Sequence, residues 1–312
     1  MIEAYINIVI IFVLIFMGYC LTWKKWFDNK VADAMAKLVL NITLPVGMFL
    51  NITKEFTKEE FLEICVNMLL PLTFVWLYYL VSWVAAKIVK VEEGKVGLFR
   101  LMWTTSNTIF MGMPVSIAIF GESAVPYVLM YYICNTSFFW TLGVYGLSKD
   151  NQDMRDIKFG WKEALKKIFS PALLGFIIGL VCVLLNFRMP ASVNQLFNYL
   201  GGMTTPLSMM VIGTIIFQTK IKNLHMSKEI FAVLIGRYVA APILLWALSR
   251  VIPVPEQMLR VFIIQAAMPV QSSTPILARS YNVDETFATA GLSYSVLLYL
   301  GVIPILLYFI FA

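Results

Sequence analysis

Charged side chains are scarce in this sequence. They make up 13% of its 312 residues, whereas 60% of the residues are hydrophobic. An average soluble domain is about a quarter charged and about half apolar, so this composition excludes an ordinary water-soluble domain. The net charge of +6 is explained by basic loops between apolar segments, and we expect no nucleic-acid partner.

The usual ligands of metal sites are also few. The sequence has one histidine, His225, in a short polar loop, and four cysteines that all lie within apolar runs. We therefore predict no metal site and no cofactor. The sequence contains no HExxH motif, no GxGD aspartate pair and no Asp-rich diphosphate motif, and we do not expect an enzyme.

Carboxylates are almost absent from the deep positions of the apolar segments. Five lie near segment ends: Asp33, Glu63, Glu122, Asp284 and Glu285. This placement disfavours a sodium or proton antiporter with paired aspartates in mid-membrane. Coupling to Na⁺ would have to use backbone carbonyls and hydroxyls.

Long apolar segments recur along the whole chain. Ten of them approach or exceed the ~20 residues that a helix needs to cross a bilayer. We therefore predict an all-α protein of the lipid bilayer with ten transmembrane helices. In chain order, spans 1 to 10 cover residues 4–23, 33–52, 61–86, 98–120, 124–147, 168–187, 193–218, 229–251, 259–280 and 287–311.

The basic residues of the loops orient these spans. Fifteen Lys or Arg residues lie in the loops of one side, and four lie on the other: Lys54, Lys58, Arg188 and Arg250. Because cytoplasmic loops carry the excess of Lys and Arg, the loop 148–167 is expected in the cytoplasm. We predict a multi-pass protein of the cell (plasma) membrane with both termini outside.

The two halves of the chain resemble each other. TLPVGMFLNIT at 43–53 shares Thr, Pro, Met and Thr in register with TTPLSMMVIGT at 204–214, and Pro114 pairs with Pro275. Both matches have an offset of 161 residues, close to half the chain length. Arg100 with Arg260 and Glu122 with Asp284 have offsets of 160 and 162. The nearly constant offset indicates duplication of a unit with five spans.

An odd number of spans makes the second copy enter the membrane from the opposite side. The predicted fold is therefore two inverted five-helix repeats, residues 1–147 and 168–312, joined by the cytoplasmic loop 148–167. Inverted repeats are typical of secondary transporters, in which paired interrupted helices form the substrate site. Here the paired segments with Pro and Gly are spans 4 and 9.

In span 4 the stretch SNTIFMGMPV carries Gly112 and Pro114 within an apolar run. In span 9 the stretch QAAMPVQSSTP carries Pro269 and Pro275. A proline cannot donate to the carbonyl four residues earlier, so we expect broken helices with unpaired carbonyls at positions such as 265 and 271. Unpaired backbone at membrane depth is tolerated only within protein or a wet cavity.

Polar side chains gather at the same two interruptions. Half-helix N-termini would aim partial positive charge there, which suits a bound anion, and amide and hydroxyl groups would hold its oxygens. Proline kinks without a ligand are the alternative, and the pairing of two such spans favours a site. The candidate substrate-binding residues are Asn107, Gly112, Pro114, Gln265, Pro269, Gln271, Ser272, Ser273 and Pro275.

These segments resemble the auxin efflux carrier family. SNTIFMGMP is similar to the family's Asn-Thr-x-x-x-Gly-x-Pro pattern, and QAAMP, Pro275 and ARSYNV at 278–283 are similar to its span-nine signature. The family includes bacterial carriers of malate- or malonate-like acids and shares its superfamily with bile-acid sodium symporters. The short loop 148–167 favours a bacterial-type member.

The resemblance implies a crossover fold in which spans 4 and 9 cross at Pro114 and Pro275. Spans 1, 2, 6 and 7 would form a scaffold that offers a homodimer surface. Spans 3–5 and 8–10 would form a moving transport domain, as in an elevator mechanism. By motif position, Asn107 would be the substrate-binding amide.

Arg237 is the deepest cation, about eight residues into span 8. It could attract an anion or pair with a backbone carbonyl. The sequence therefore predicts a secondary transporter of small organic anions that works by alternating access. Two alternatives stay open: a sodium-coupled symporter of the bile-acid type, and a membrane receptor that transports nothing.

Overall fold

The computed structural model describes residues 2–55, 67–151, 171–185, 187, 189–218 and 225–311. Within these ranges the chain is helical and has no β-strand. The α-helices are Ile2–Trp23, Asn29–Leu38, Leu44–Glu55, Leu69–Val89, Val96–Thr104, Met113–Phe120, Val125–Phe138, Val144–Ser148, Pro171–Leu184, Ala191–Gly202, Thr204–Gln218, Lys228–Ile235, Ala241–Ser249, Glu256–Ala266, Thr274–Ser280 and Glu285–Phe311. Short π-helical turns extend some of them or join them into longer helices: Val39–Thr43, Thr108–Gly112, Phe139–Gly143 and Gly236–Ala240.

Several helices are long and apolar enough to cross a bilayer. Five of these stretches were found among the described residues: Asn29–Lys54, Leu69–Val89, Ala191–Gln218, Lys228–Ser249 and Glu285–Phe311. Shorter apolar helices occur at Val9–Trp23, Thr108–Phe120 and Leu173–Leu184. The described part of the chain is thus all-helical, and its long apolar helices are typical of a membrane protein. Part of the predicted span 61–86 and most of the predicted loop 148–167 lie outside the described residues.

Side chains at the helix starts satisfy backbone N–H groups that have no partner within the helix. Asp28 Oδ1 accepts from Val31 N at 2.9 Å. The carboxylate of Asp150 accepts from Gly97 N at 2.8 Å and Leu98 N at 2.7 Å, at the start of helix Val96–Thr104. Acidic caps of this kind also suit the positive end of a helix dipole.

The contacts divide the chain into two compact units. Unit 1 comprises Met1–Asn67, Met113–Pro126 and Ile168–Thr219. Unit 2 comprises Met68–Gly112, Tyr127–Lys167 and Lys220–Ala312.

Unit 1 is held together by close approaches between helices. A Cβ on Gly213 would lie 1.9 Å from the carbonyl oxygen of Ile15, so only glycine lets helix Thr204–Gln218 approach helix Ile2–Trp23 this closely. The hydroxyl of Thr204 donates to the hydroxyl of Thr43 at 3.0 Å in the buried part of the same unit.

Unit 2 has an aromatic core and contains both interrupted segments. Buried rings such as Phe74, Tyr78, Trp103 and Tyr131 pack against one another. The first segment stops being helical after Thr104 and resumes as a π-helical turn at Thr108–Gly112. In the second segment, residues 267–273 separate helix Glu256–Ala266 from helix Thr274–Ser280.

Of the three prolines that the sequence analysis assigned to the breaks, only Pro269 lies inside an interruption, within residues 267–273. Pro114 lies within the helical stretch Thr108–Phe120 that follows the first break, two residues after its π-helical turn. Pro275 lies in the first turn of helix Thr274–Ser280, which follows the second break. A proline is tolerated there because the first N–H groups of a helix have no partner within it.

The predicted unpaired carbonyls at positions 265 and 271 are also wrong. The carbonyl of Gln265 accepts from Met268 N at 3.3 Å, and that of Gln271 accepts from Thr274 N at 3.0 Å. Local turns take the place of the lost helical hydrogen bonds.

Candidate functional site

The two interruptions lie side by side within unit 2. Ser106 of the first faces Val270 of the second as an isolated antiparallel pair. The backbone N–H of Asn107 donates to the carbonyl of Pro269 at 2.9 Å. Non-helical backbone at membrane depth is thereby paired with backbone from the other segment, in the surroundings of buried protein that such backbone requires.

The side chain of Asn135 holds the first interruption. Its Oδ1 accepts from Ser106 N at 3.0 Å, and its Nδ2 donates to the carbonyl of Ser106 at 3.1 Å. One amide thus satisfies both backbone groups of a residue that is fully buried. Nδ2 also lies 3.5 Å from Oε1 of Gln271, in the second interruption.

Ser295 has the corresponding role at the second interruption. Its hydroxyl accepts from Val270 N at 3.1 Å and donates to the carbonyl of Leu292 at 2.7 Å. The hydroxyl of Tyr238 donates to the carbonyl of Ser295. Neither Asn135 nor Ser295 was predicted from the sequence. The available signal for Asn135 was an amide inside the apolar run YYICNTSFFW, since such a side chain needs a buried partner.

Arg237 joins the ends of both half-helices and is fully buried. Its Nη1 donates to the carbonyl of Trp103 at 3.1 Å, and its Nη2 donates to that of Ala266 at 2.7 Å. Nε and Nη2 both donate to the carbonyl of Met268, at 2.9 and 2.7 Å. The C-terminal end of a helix carries partial negative charge, which the guanidinium offsets. Of the two roles considered for Arg237, the structure has the pairing with backbone carbonyls.

The candidate residues of the sequence differ in their placement. Asn107 and Pro269 belong to the paired interruptions, and Gln265 is the penultimate residue of helix Glu256–Ala266, just before the second interruption. Gly112 lies against Gln265, because a Cβ on Gly112 would be 2.3 Å from Gln265 Oε1. Gln271, Ser272 and Ser273 are half-buried within the second interruption, and the half-buried Pro275 belongs to the first turn of the helix after it. The structure groups Pro114 with unit 1 instead.

The side-chain amide of Asn107 has no hydrogen bond to any residue that the structure describes. Its exposure is 6%, so the amide is nearly enclosed but still accessible. A buried amide without a partner is costly, and a ligand with oxygen atoms would satisfy it.

A polar cavity of about 340 Å³ lies within unit 1. Its lining includes Asn51, Lys54, Glu122 and Asn198, together with Met113, which directly follows Gly112 in the chain. Nζ of Lys54 donates to Oδ1 of Asn198 at 2.6 Å. The sequence did not predict this cavity.

Comparison with models of protein families shows which family the chain belongs to. The family described as membrane transport protein matches residues 3–307. The chain belongs to this family. It is the auxin efflux carrier family that the motifs of spans 4 and 9 indicated, so that prediction is confirmed.

Relatives in the family are named as transporters. An "Uncharacterized transporter" of Methanocaldococcus jannaschii is 25% identical over 296 residues, which cover 89% of each chain. The "Uncharacterized transporter YfdV" of Escherichia coli K12 is 23% identical over 308 residues, covering 96% of this chain and 95% of its own. A "Putative malonate transporter" of Rhizobium meliloti is 21% identical over 305 residues, covering 96% of this chain and 93% of its own.

Proposed function

We propose that the protein is a secondary transporter of small organic anions, with its substrate site at the paired interruptions of spans 4 and 9. The observation that carries this proposal is the side-chain amide of Asn107, which is accessible and has no hydrogen-bond partner among the described residues. The non-helical backbone next to it is already hydrogen-bonded between the two interruptions, so a ligand would bind the amide. Membership of a membrane transport protein family supports it.

The chemistry of the interruptions favours an anion. Residues 105–107 and 267–273 include amides and hydroxyls and no Asp or Glu. Amide N–H and hydroxyl groups can donate to carboxylate oxygens, and the site offers no carboxylate to repel them. The name of the R. meliloti relative fits the same class, and we propose malate- or malonate-like carboxylates as substrates.

Our proposed mechanism is alternating access of the elevator type. Unit 1 contains the chain segments of spans 1, 2, 6 and 7, and we propose it as the scaffold and as the surface of a homodimer. Unit 2 contains most of spans 3–5 and 8–10, and we propose it as the moving part. The division of contacts into these two units supports this assignment.

Ten spans in two inverted repeats, 1–147 and 168–312, remain part of the proposal. Residues that are 160 or 161 positions apart, close to the repeat offset, have similar roles in the structure. The hydroxyls of two threonines form a hydrogen bond with each other. Two buried tyrosine hydroxyls donate to backbone carbonyls. Two side-chain oxygens accept from backbone N–H groups of the interruptions. These pairs are Thr43 and Thr204, Tyr78 and Tyr238, and Asn135 and Ser295.

The membrane potential can drive the proposed transport without ion coupling. Moving one negative charge outward through 100 mV of inside-negative potential releases about 2.3 kcal/mol. This energy corresponds to roughly fiftyfold accumulation outside. Both termini are proposed to lie outside the cell membrane, in accordance with the basic loops.

The test is uptake of labelled carboxylates by proteoliposomes, with and without Na⁺. We expect saturable flux of at least one dicarboxylate. Asn107→Ala should raise its Kd about 10- to 150-fold, because a hydrogen bond to a charged ligand contributes about 1.5–3 kcal/mol. Asn41→Ala is the matched control, since Asn41 is exposed and its amide donates only within its own helix.

The other hypotheses make different predictions in the same assay. A bile-acid-type symporter would require Na⁺ for flux, and a receptor would bind a carboxylate with measurable affinity but move none. Flux equal to that of empty vesicles for every acid tested would contradict the proposal. Unchanged affinity in Asn107→Ala would remove Asn107 from the site.

A further inference from the structure

A groove runs along the surface of unit 2 between three helices. One part of it is an apolar cavity of about 650 Å³, and the other part is a more polar cavity of about 440 Å³. The two cavities share four lining residues: Trp246, Ile263, Phe309 and Ile310. They therefore form one continuous groove with a polar end and an apolar end.

The polar end carries two arginines. Arg250 and Arg260 both line it, together with Glu256, which pairs with Arg260 at 2.5 Å. The Arg250 guanidinium lies over the Trp246 ring at 4.6 Å and has no ion pair with any residue in the described ranges. The polar end of the groove thus has an excess of one positive charge, and the guanidinium of Arg250 can bind an anion.

The apolar end is exposed and elongated. Ile243 is 59% exposed, Ile305 is 58% exposed and Phe309 is 72% exposed. Tyr238 lines the apolar end and Arg250 lines the polar end, twelve residues later in the chain. At the rise of an α-helix this separation is about 18 Å, which gives the length of the groove. Half of the hydrocarbon core of a bilayer is about 15 Å thick, so the groove is as deep as one leaflet.

We propose that this groove is a binding site for one anionic phospholipid. The phosphate lies at Arg250 and Arg260, and an acyl chain follows Trp246 down to Ile243 and Ile305. A phospholipid has the same sequence of polar and apolar parts over the same length, and its negative headgroup complements the excess charge. In the predicted topology Arg250 lies outside, which places this lipid in the outer leaflet.

The site can be tested by native mass spectrometry of the full-length protein after delipidation in detergent. Phosphatidylglycerol and phosphatidylcholine with the same acyl chains are added separately, and the bound fraction is compared. We expect about tenfold more bound phosphatidylglycerol, since each basic side chain near an anionic lipid contributes roughly fivefold and Glu256 offsets part of this effect. The double variant Arg250→Gln, Arg260→Gln should lose this preference.

Matched controls separate the groove from general attraction to lipid. Lys87→Gln with Arg279→Gln removes the same charge elsewhere on unit 2 and should keep the preference. Ile243→Trp fills the apolar end and should reduce bound phosphatidylglycerol at least several-fold, whereas Leu298→Trp, at a site 47% exposed outside the groove, should not. Elution volume and helical circular dichroism confirm that each variant is folded.

Three results would overturn the proposal. The first is equal binding of the two lipids, and the second is an unchanged preference in the Arg250 and Arg260 double variant. The third is full competition by glycerol phosphate at the concentration of the lipid, which would show that the acyl chain contributes nothing. Retained binding in folded Ile243→Trp would likewise contradict the placement of the chain.

Discussion

Replacing Asn135 by leucine removes the side chain that holds the first interruption. The two bonds to Ser106, at 3.0 and 3.1 Å, are lost. Leucine keeps the branched shape and the number of side-chain heavy atoms, so the change leaves two buried backbone groups unpaired and creates no empty space. Each such group costs about 1–3 kcal/mol, which amounts to roughly 2–6 kcal/mol. We expect the free energy of unfolding to fall by this amount.

The assay is reversible unfolding in mixed detergent micelles, followed by tryptophan fluorescence. Asn41→Leu makes the same substitution at an exposed position and should change the free energy by about 0.5 kcal/mol or less. A similarly small change in Asn135→Leu would refute the reasoning that Asn135 stabilises the interruption.

Three further substitutions test other contacts. Arg237→Met should lower the free energy of unfolding by about 3 kcal/mol or more, because three backbone carbonyls lose their donor, and Arg237→Lys should lower it less; equal thermal stability of both variants and the wild type would contradict this. Gly112→Ala should slow transport while helical circular dichroism is unchanged, because the added Cβ displaces the side chain of Gln265; wild-type flux would show that this contact is dispensable. Gly213→Ala should lower the free energy of unfolding by about 1–3 kcal/mol, because its Cβ would overlap the carbonyl oxygen of Ile15. A melting temperature equal to that of the wild type would argue against close packing between these two helices.

Hydropathy and the Pro and Gly positions were sufficient to predict an all-helical membrane chain with two interrupted segments. The exact position of the breaks was not predictable in the same way. Pro114 suggested a break at its own turn, but the first helix ends at Thr104 and Pro114 lies six residues into the helical stretch that resumes at Thr108. A proline restricts the conformation of the chain without fixing where its neighbours leave the helix.

The partners of buried polar groups depended on tertiary structure. Arg237 was recognisable as a deep cation, yet its carbonyl partners come from residues 29, 31 and 134 positions away. Asn135 bonds to a residue 29 positions earlier. Periodicity describes the neighbours of a residue along one helix, so such long-range bonds are beyond its reach.

The bonds of Arg237 have a consequence for the thermodynamics of binding. Because one guanidinium fixes the ends of both half-helices before any solute arrives, the proposed site does not have to order its backbone during association. A ligand then loses less affinity to conformational entropy. The heat-capacity change of binding should accordingly reflect the contact area of the solute alone, without the larger negative value that accompanies coupled folding.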